Sequence, residues 1–286
     1  QFIAVRGKDG VAEPWAHAAS RAQVAWAAQQ RGPLVNVPSE LMESGAARLR
    51  AAGVTADWFV AMHIREGGYH GDGPGTTRQH RSANVGDYLE AIAHIVARGG
   101  AVIRLGDRSM TPLRGMAGVF DYAHSDIKSA EMDLYLCAAA RLFVGTTSGL
   151  TTAVQALGTP MLLVNCISND CQFWHEHTDF TLRPVYDRRA RRYLSLRETY
   201  RQPLQALLID TAVLARHGLE IHPNTAQDIT EGVRYKLDCL DERVRPLRDG
   251  GPLLDGYHAA LADNPYNFGA ALPVPAFLER LPELLG

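Results

Sequence analysis

Between residues 58 and 164, short apolar runs alternate with stretches of helical length, and most runs and helices stop at Gly or Pro. The runs at 58–64, 101–105, 119–122, 142–145 and 161–164 are too short for helices and continuous enough to be covered on both faces. Between them lie an amphipathic stretch at 85–98, with Asn84 as N-cap and Gly99-Gly100 as its stop, and further helices at 129–140 and 149–157. The last is ended by Gly158-Thr159-Pro160. Strands that alternate with helices in this way build a parallel sheet from βαβ units, with helices on both faces. The fold class is therefore α/β, a Rossmann-like parallel sheet. An all-helical bundle would not punctuate nearly every apolar run with Gly or Pro.

The flanks read differently. Residues 1–56 are polar and helical, with helices at 14–30 and 41–52, the second opened by Pro38-Ser39-Glu40 and closed by Gly53, and a possible short strand at 34–37. Residues 166–205 carry Trp174, His175, His177 and a basic run from Arg188 to Arg192, and read as an insertion or long functional loop. A helix follows at 225–242 with Asn224 as its cap, then a charged, Gly/Pro-rich linker at 243–256 and a terminal helix from about Pro275. This divides the chain into a short helical N-terminal region (1–56), a Rossmann-like domain (57–245) and a C-terminal linker and tail (246–286). Gln1, with no signal peptide behind it, points to a chain whose start is missing.

Charge and cysteine usage narrow the function. Lys+Arg 29 against Asp+Glu 31 gives a net charge of −2, without the basic footprint of a general nucleic-acid binder. No run of 18 apolar residues exists to span a membrane. Cys137, Cys166, Cys171 and Cys239 form neither a disulfide framework nor a zinc pattern, which fits reduced thiols in a cytoplasmic protein. His175, Glu176 and His177 near Cys171 match no standard metal spacing.

Ligands of an open parallel sheet bind beyond the carboxyl ends of its strands. The first strand runs into His63-Ile64-Arg65-Glu66-Gly67-Gly68-Tyr69-His70-Gly71-Asp72, where alternation puts His63 and Arg65 on one face. An Arg there suits a bidentate grip on phosphate, and the His can orient a substrate or move a proton; a structural ion pair and a core His are the competing roles. The second strand ends Arg104-Leu105-Gly106-Asp107, a tight turn whose Asp caps backbone donors or accepts from a sugar hydroxyl. The fourth ends Gly145-Thr146-Thr147-Ser148-Gly149, directly at a helix start. Such a start offers unpaired N–H groups and a positive dipole end to a diphosphate, beyond the ordinary N-cap role of Ser148 or Thr147. Asp133, on the helix before, is placed to brace that loop or to stand as a plain solvent-facing carboxylate. The Arg188–Arg192 run reads as a solvated face or a contact to an anionic substrate.

Taken together, His63-Ile64-Arg65-Glu66-Gly67-Gly68-Tyr69, Arg104-Leu105-Gly106-Asp107, Asp121-Tyr122-Ala123-His124-Ser125 and Phe143-Val144-Gly145-Thr146-Thr147-Ser148-Gly149-Leu150 resemble a family of bacterial GT-B-type glycosyltransferases. That family is distantly related to fucosyltransferases with an H-x-R motif. The similarity continues through Glu220-Ile221-His222-Pro223-Asn224-Thr225 and the tail, over residues 57–286. It implies a GT-B donor domain and a transferase that needs no metal or other cofactor, using a nucleotide-sugar donor, GDP-sugar favoured, and an acceptor the sequence does not name. Arg65 would hold the diphosphate; Thr146, Thr147, Ser148 and Gly149 would line it; Asp121, Tyr122 and His124 would lie near the nucleoside. The motif departs from the family in following H-x-R with Glu66-Gly67-Gly68 rather than a second basic residue, so Arg104 or Arg108 would have to supplement the phosphate charge. Residues 1–56 are also too short for the family's acceptor domain, which is abbreviated or absent here.

For the proton of the acceptor, the candidates around the first strand's loop are His63, Glu66, His70 and Asp72, with Glu66 and His63 preferred. The resemblance alone implies inversion by direct displacement. A non-catalytic nucleotide-sugar-binding module, or a partner subunit of a transferase, is the reading from another class.

Overall fold

The central runs form strands in the order that places a crevice in the middle of the sheet. The computed structural model describes residues 28–66, 82–167, 175–201, 204–208, 210–262 and 270–286 and parts of the first 27. Near the start, β1 (Ala4–Arg6) and β2 (Ala12–Pro14) make a two-stranded antiparallel ribbon. Helix α1 (Ser39–Ala51) then leads to β3 (Phe59–His63), α2 (Leu89–Ala97), β4 (Ala101–Arg104) and β5 (Val119–Phe120). Next come α3 (Ala130–Ala139), β6 (Leu142–Gly145), α4 (Gly149–Leu157) and β7 (Met161–Cys166).

The 166–205 stretch read as a loop is instead structured where it is described. Thr178–Leu182 is β8, every residue of it buried, and it pairs in parallel with β7. Its alternation Thr178, Phe180, Leu182 carries polar residues on the other positions, which hid it among loop-like neighbours. Strands β9 (Val185–Asp187) and β10 (Arg192–Tyr193) form a hairpin, with Arg191 at its turn at φ 54°. Short helices α5 (Leu196–Tyr200), α6 (Leu204–Leu207) and α7 (Thr211–Arg216) precede β11 (Leu219–Ile221), which pairs with β9. Helix α8 (Ala226–Leu240) follows.

The expected linker at 243–256 also carries structure: a 3-10 turn at Leu247–Asp249 and helix α9 (Pro252–Ala260). After it, β12 (Leu272–Pro273) adds to the edge of the main sheet beside β8, and the expected terminal helix is α10 (Pro275–Arg280). Residues 34–37 are not a strand; Val35 instead donates a backbone hydrogen bond to Ala156. Of the helix expected at 14–30, residues 18, 21–22, 25–26 and 28 are helical, Pro14 ends β2, and 15–17, 19–20, 23–24 and 27 lie outside the described residues.

The main sheet has seven parallel strands in the order β12-β8-β7-β6-β3-β4-β5. From β3 the chain moves outward one way to β4 and β5, then returns to β6 and moves outward the other way. Right-handed crossovers then put α2 and α4 on opposite faces of the sheet. On one face α2 packs against α8, and α10 rests on α8; on the other, α1 packs on α3 and α3 on α4. Strand β3 lies at the reversal with Val60, Ala61 and Met62 wholly excluded from solvent. The Val60 and Met62 side chains each contribute about 1.5–3 kcal/mol by leaving water. Lys236 of α8 ties helix to sheet by donating to the carboxylate of Asp179 and to the carbonyl of His177, the latter at 2.8 Å.

Candidate functional site at the strand-order reversal

In a doubly wound sheet the crevice opens where the strand order reverses, here between the carboxyl ends of β3 and β6. His63 closes β3 and lies opposite Gly145, the last residue of β6. The backbone of Thr146 donates to the His63 carbonyl at 3.4 Å, carrying the pairing one step beyond the strand. Gly145 is required by this approach: a Cβ there would come within 2.7 Å of the Phe143 ring and 3.2 Å of the His63 carbonyl.

Helix α4 begins four residues later, with Ser148 at the N-cap in an extended conformation (φ −157°, ψ 172°). Thr151 Oγ1 accepts from the Ser148 N–H at 3.3 Å and donates to its carbonyl at 2.5 Å. The Ser148 hydroxyl lies 3.4 Å from Nδ1 of His63. Thr146 is buried with its Oγ1 unpartnered, and Gly149 is exposed with open space where a Cβ would be. The helix start thus presents its first amides beside the end of β3, the arrangement that favours an anion.

His63 is 7% exposed. Burial first, and then the cations of Arg104 and Arg65, push its pKa down to about 4. It is neutral at pH 7, able to accept a proton or a hydrogen bond. Arg65 is half-buried just beyond it, and its carbonyl accepts from Ala83 at 2.8 Å.

Glu66 and Arg104 meet each other. Arg104, with a side chain 1% exposed, donates to Glu66 Oε1 at 2.9 Å, while Oε2 accepts from the Thr111 N–H at 2.6 Å. Both carboxylate oxygens of Glu66 are therefore engaged in holding a buried cation and the loop after β4. The Gly106-Asp107 turn completes that loop. Gly106 sits at φ 144°, where a Cβ would also strike Met110, and Asp107 accepts from the Ser109 N–H at 2.7 Å as a turn residue does.

On the far side of β4, Asp121 accepts from the Leu113 N–H and lies 3.0 Å from Nδ1 of His124. Tyr122 is fully buried, and its hydroxyl exchanges hydrogen bonds with the Ser129 backbone. Its side chain packs the core, while Asp121 and His124 are each partly exposed. Asp133, expected to brace the Thr146–Gly149 loop, pairs with Lys128 at 3.1 Å instead. His70 and Asp72 lie outside the described residues, as does Cys171.

Two groups at this edge escaped the sequence reading. Asn224, expected to cap α8, is 2% exposed and accepts from the Asn165 N–H and the Thr181 hydroxyl, while donating to the Leu182 carbonyl at 2.6 Å; Thr225 is the cap. Asn165 in turn accepts from the Asn224 N–H, at 2.8 Å, and holds a left-handed φ of 57°. The second group is Arg183, just past β8, 8% exposed. Arg183 had no motif around it, and Asn224 was read only as a cap.

Elsewhere, two members of the basic run are paired: Arg188 with Glu220, and Arg192 with Glu198 through two hydrogen bonds. Among the described residues, no three His, Cys, Asp or Glu side chains converge on a point that could hold a metal. No helix among them is long and apolar enough to cross a membrane.

The fold and this edge define a doubly wound α/β protein with a cluster of polar residues at the reversal of strand order. No protein-family model matches the chain, and no curated protein matches it. Among solved structures it is similar to one described as dodecameric iron-containing heptosyltransferase TibC in complex with ADP-D-beta-D-heptose. The identity is 15% and the TM-score 0.37, over 69% of this chain and 48% of that one. The chain thus spans about half the length of that protein, and a likeness of this depth carries no argument about activity.

Proposed function

We propose that the chain is a glycosyltransferase that binds a nucleotide-diphosphate sugar, a GDP-sugar by preference, in the crevice between β3 and β6. The observation that carries this reading is the meeting of His63 with the start of α4 at the strand-order reversal, with Arg65 directly beyond. A diphosphate there would lie against the first amides of α4 and the Arg65 guanidinium. Both act where negative charge grows as the sugar's anomeric C–O bond breaks. The bond to the acceptor oxygen forms on the opposite side of that carbon, inverting it, and the nucleoside diphosphate leaves without a metal. The proton of the acceptor hydroxyl passes to His63 in preference to Glu66, whose two oxygens are already engaged. An arriving diphosphate raises the pKa of His63 toward neutrality, since a nearby anion favours the imidazolium. The base is thereby strengthened only when donor is bound.

The low pKa of His63 also favours the second reading, a nucleotide-sugar-binding module without catalysis. A panel of nucleotide sugars, incubated with and without candidate acceptors, separates the two. Acceptor-dependent release of nucleoside diphosphate supports transfer, and binding without release for every pair supports the module. Anomeric analysis of the product tests inversion.

A further inference from the structure

We infer that Arg183 is a second cation for the donor's diphosphate, reaching the crevice from β8 and supplying the charge that H-x-R alone lacks; this rests on the donor-site reading above. Its backbone N–H donates to the Cys166 carbonyl at 2.7 Å, which fixes it at the carboxyl edge next to β7. Strand β8 is three strands from β3, about 14 Å at the usual strand spacing. The side chain crosses part of that gap and the Ser82–Ala83 peptide crosses the rest. Its Nη2 donates to the Ser82 carbonyl at 2.5 Å, and the next residue, Ala83, donates to the carbonyl of Arg65. The guanidinium is thereby brought to the segment paired with Arg65, on the same edge as the start of α4. Thr147 completes the line between them, with Oγ1 4.0 Å from the Cys166 thiol.

What distinguishes Arg183 is its charge balance. Buried arginines are normally matched by acids, and the other buried arginine of this edge, Arg104, has Glu66. Arg183 pairs with no carboxylate among the described residues, and its Nε is buried without a hydrogen-bond partner. A buried cation with no acid against it among the described residues is costly for folding and suited to an anion that arrives from outside. Among the described residues, the titratable groups that bear on it are the Tyr88 hydroxyl, whose pKa burial pushes up, and the Cys166 thiol.

The test is calorimetric binding of inorganic pyrophosphate, GDP and guanosine to the wild-type chain, Arg183→Met and Arg183→Lys, with thermal melts alongside. Methionine keeps much of the buried apolar volume while removing the charge. The expected result is a loss of affinity for pyrophosphate and GDP of about 10–100-fold in Arg183→Met, partial rescue in Arg183→Lys, unchanged guanosine binding and a melting temperature no lower than wild type. Wild-type binding of pyrophosphate and GDP that Arg183→Met leaves unchanged overturns the inference while the donor site stands. So does a variant that melts lower and loses guanosine together with GDP, since Arg183 would then only hold the fold. A wild-type chain that binds none of the three overturns both. Pyrophosphate binding that depends on Arg183, in a chain that transfers no sugar, supports the inference and removes the transferase reading.

Discussion

His63 Nδ1 and Ser148 Oγ face each other at 3.4 Å across the point where the strand order reverses. The contact joins the last residue of one central strand to the N-cap of the helix leaving its neighbour. Replacing Ser148 by Ala separates two roles for that hydroxyl. As a plain cap it contributes about 1 kcal/mol, so Ser148→Ala would lower the melting temperature and leave turnover alone. As a group that orients His63 and meets phosphate, its loss lowers kcat by more than the stability change accounts for. The latter is expected, and kinetics beside thermal melts would show it.

Arg65→Ala is expected to raise the donor KM and to cut kcat by about 10²–10³, as for loss of one electrostatic group at a developing charge. Steady-state kinetics with a saturating acceptor measure both. Unchanged values would take Arg65 out of the diphosphate site.

Glu66→Gln removes the acid that balances Arg104 and weakens the grip on the Thr111 N–H. Breaking one partner of a buried pair costs about 3–5 kcal/mol, so a large drop in denaturant midpoint is expected. Activity per folded molecule should fall far less. A stable protein with no activity would instead restore Glu66 as the base.

Acid should unfold the protein early. His63 and His175 are both pushed down to about 4, in each case chiefly by burial, from an ordinary value near 6.5. Between those values the unfolded chain takes up protons that the native chain refuses, so stability is highest above pH 6.5 and falls as pH drops toward 4. The His63 contribution is roughly 3 kcal/mol across that window. Denaturant melts from pH 7.5 to 4 should show the decline, and His63→Gln should flatten it.

Much of the fold was legible because burial on both faces leaves a strong mark. Helix α4 falls at the 149–157 expected from its Gly and Pro stops, and β6 at 142–145. What failed were elements whose partners are remote in sequence. Strand β8 alternates Thr and Asp with Phe and Leu because Asp179 meets Lys236, 57 residues away. Asn224 resembles a cap until its partner, Asn165, is brought to it by the sheet. At the candidate site, motif residues such as His63 and Ser148 could be named from strand ends alone. The pairing of Glu66 with Arg104 could not, since residue types do not reveal which neighbour a carboxylate will face. Arg183 carries no local motif, and its burial without an acid among the described residues is what singles it out.

The central claim is best tested by a crystal structure of the protein soaked with GDP, UDP and ADP in turn. The account predicts a pyrophosphate lying between the Arg65 guanidinium and the first amides of the 149–157 helix. A nucleotide bound elsewhere, or Arg65 locked in an internal ion pair away from it, would contradict that account.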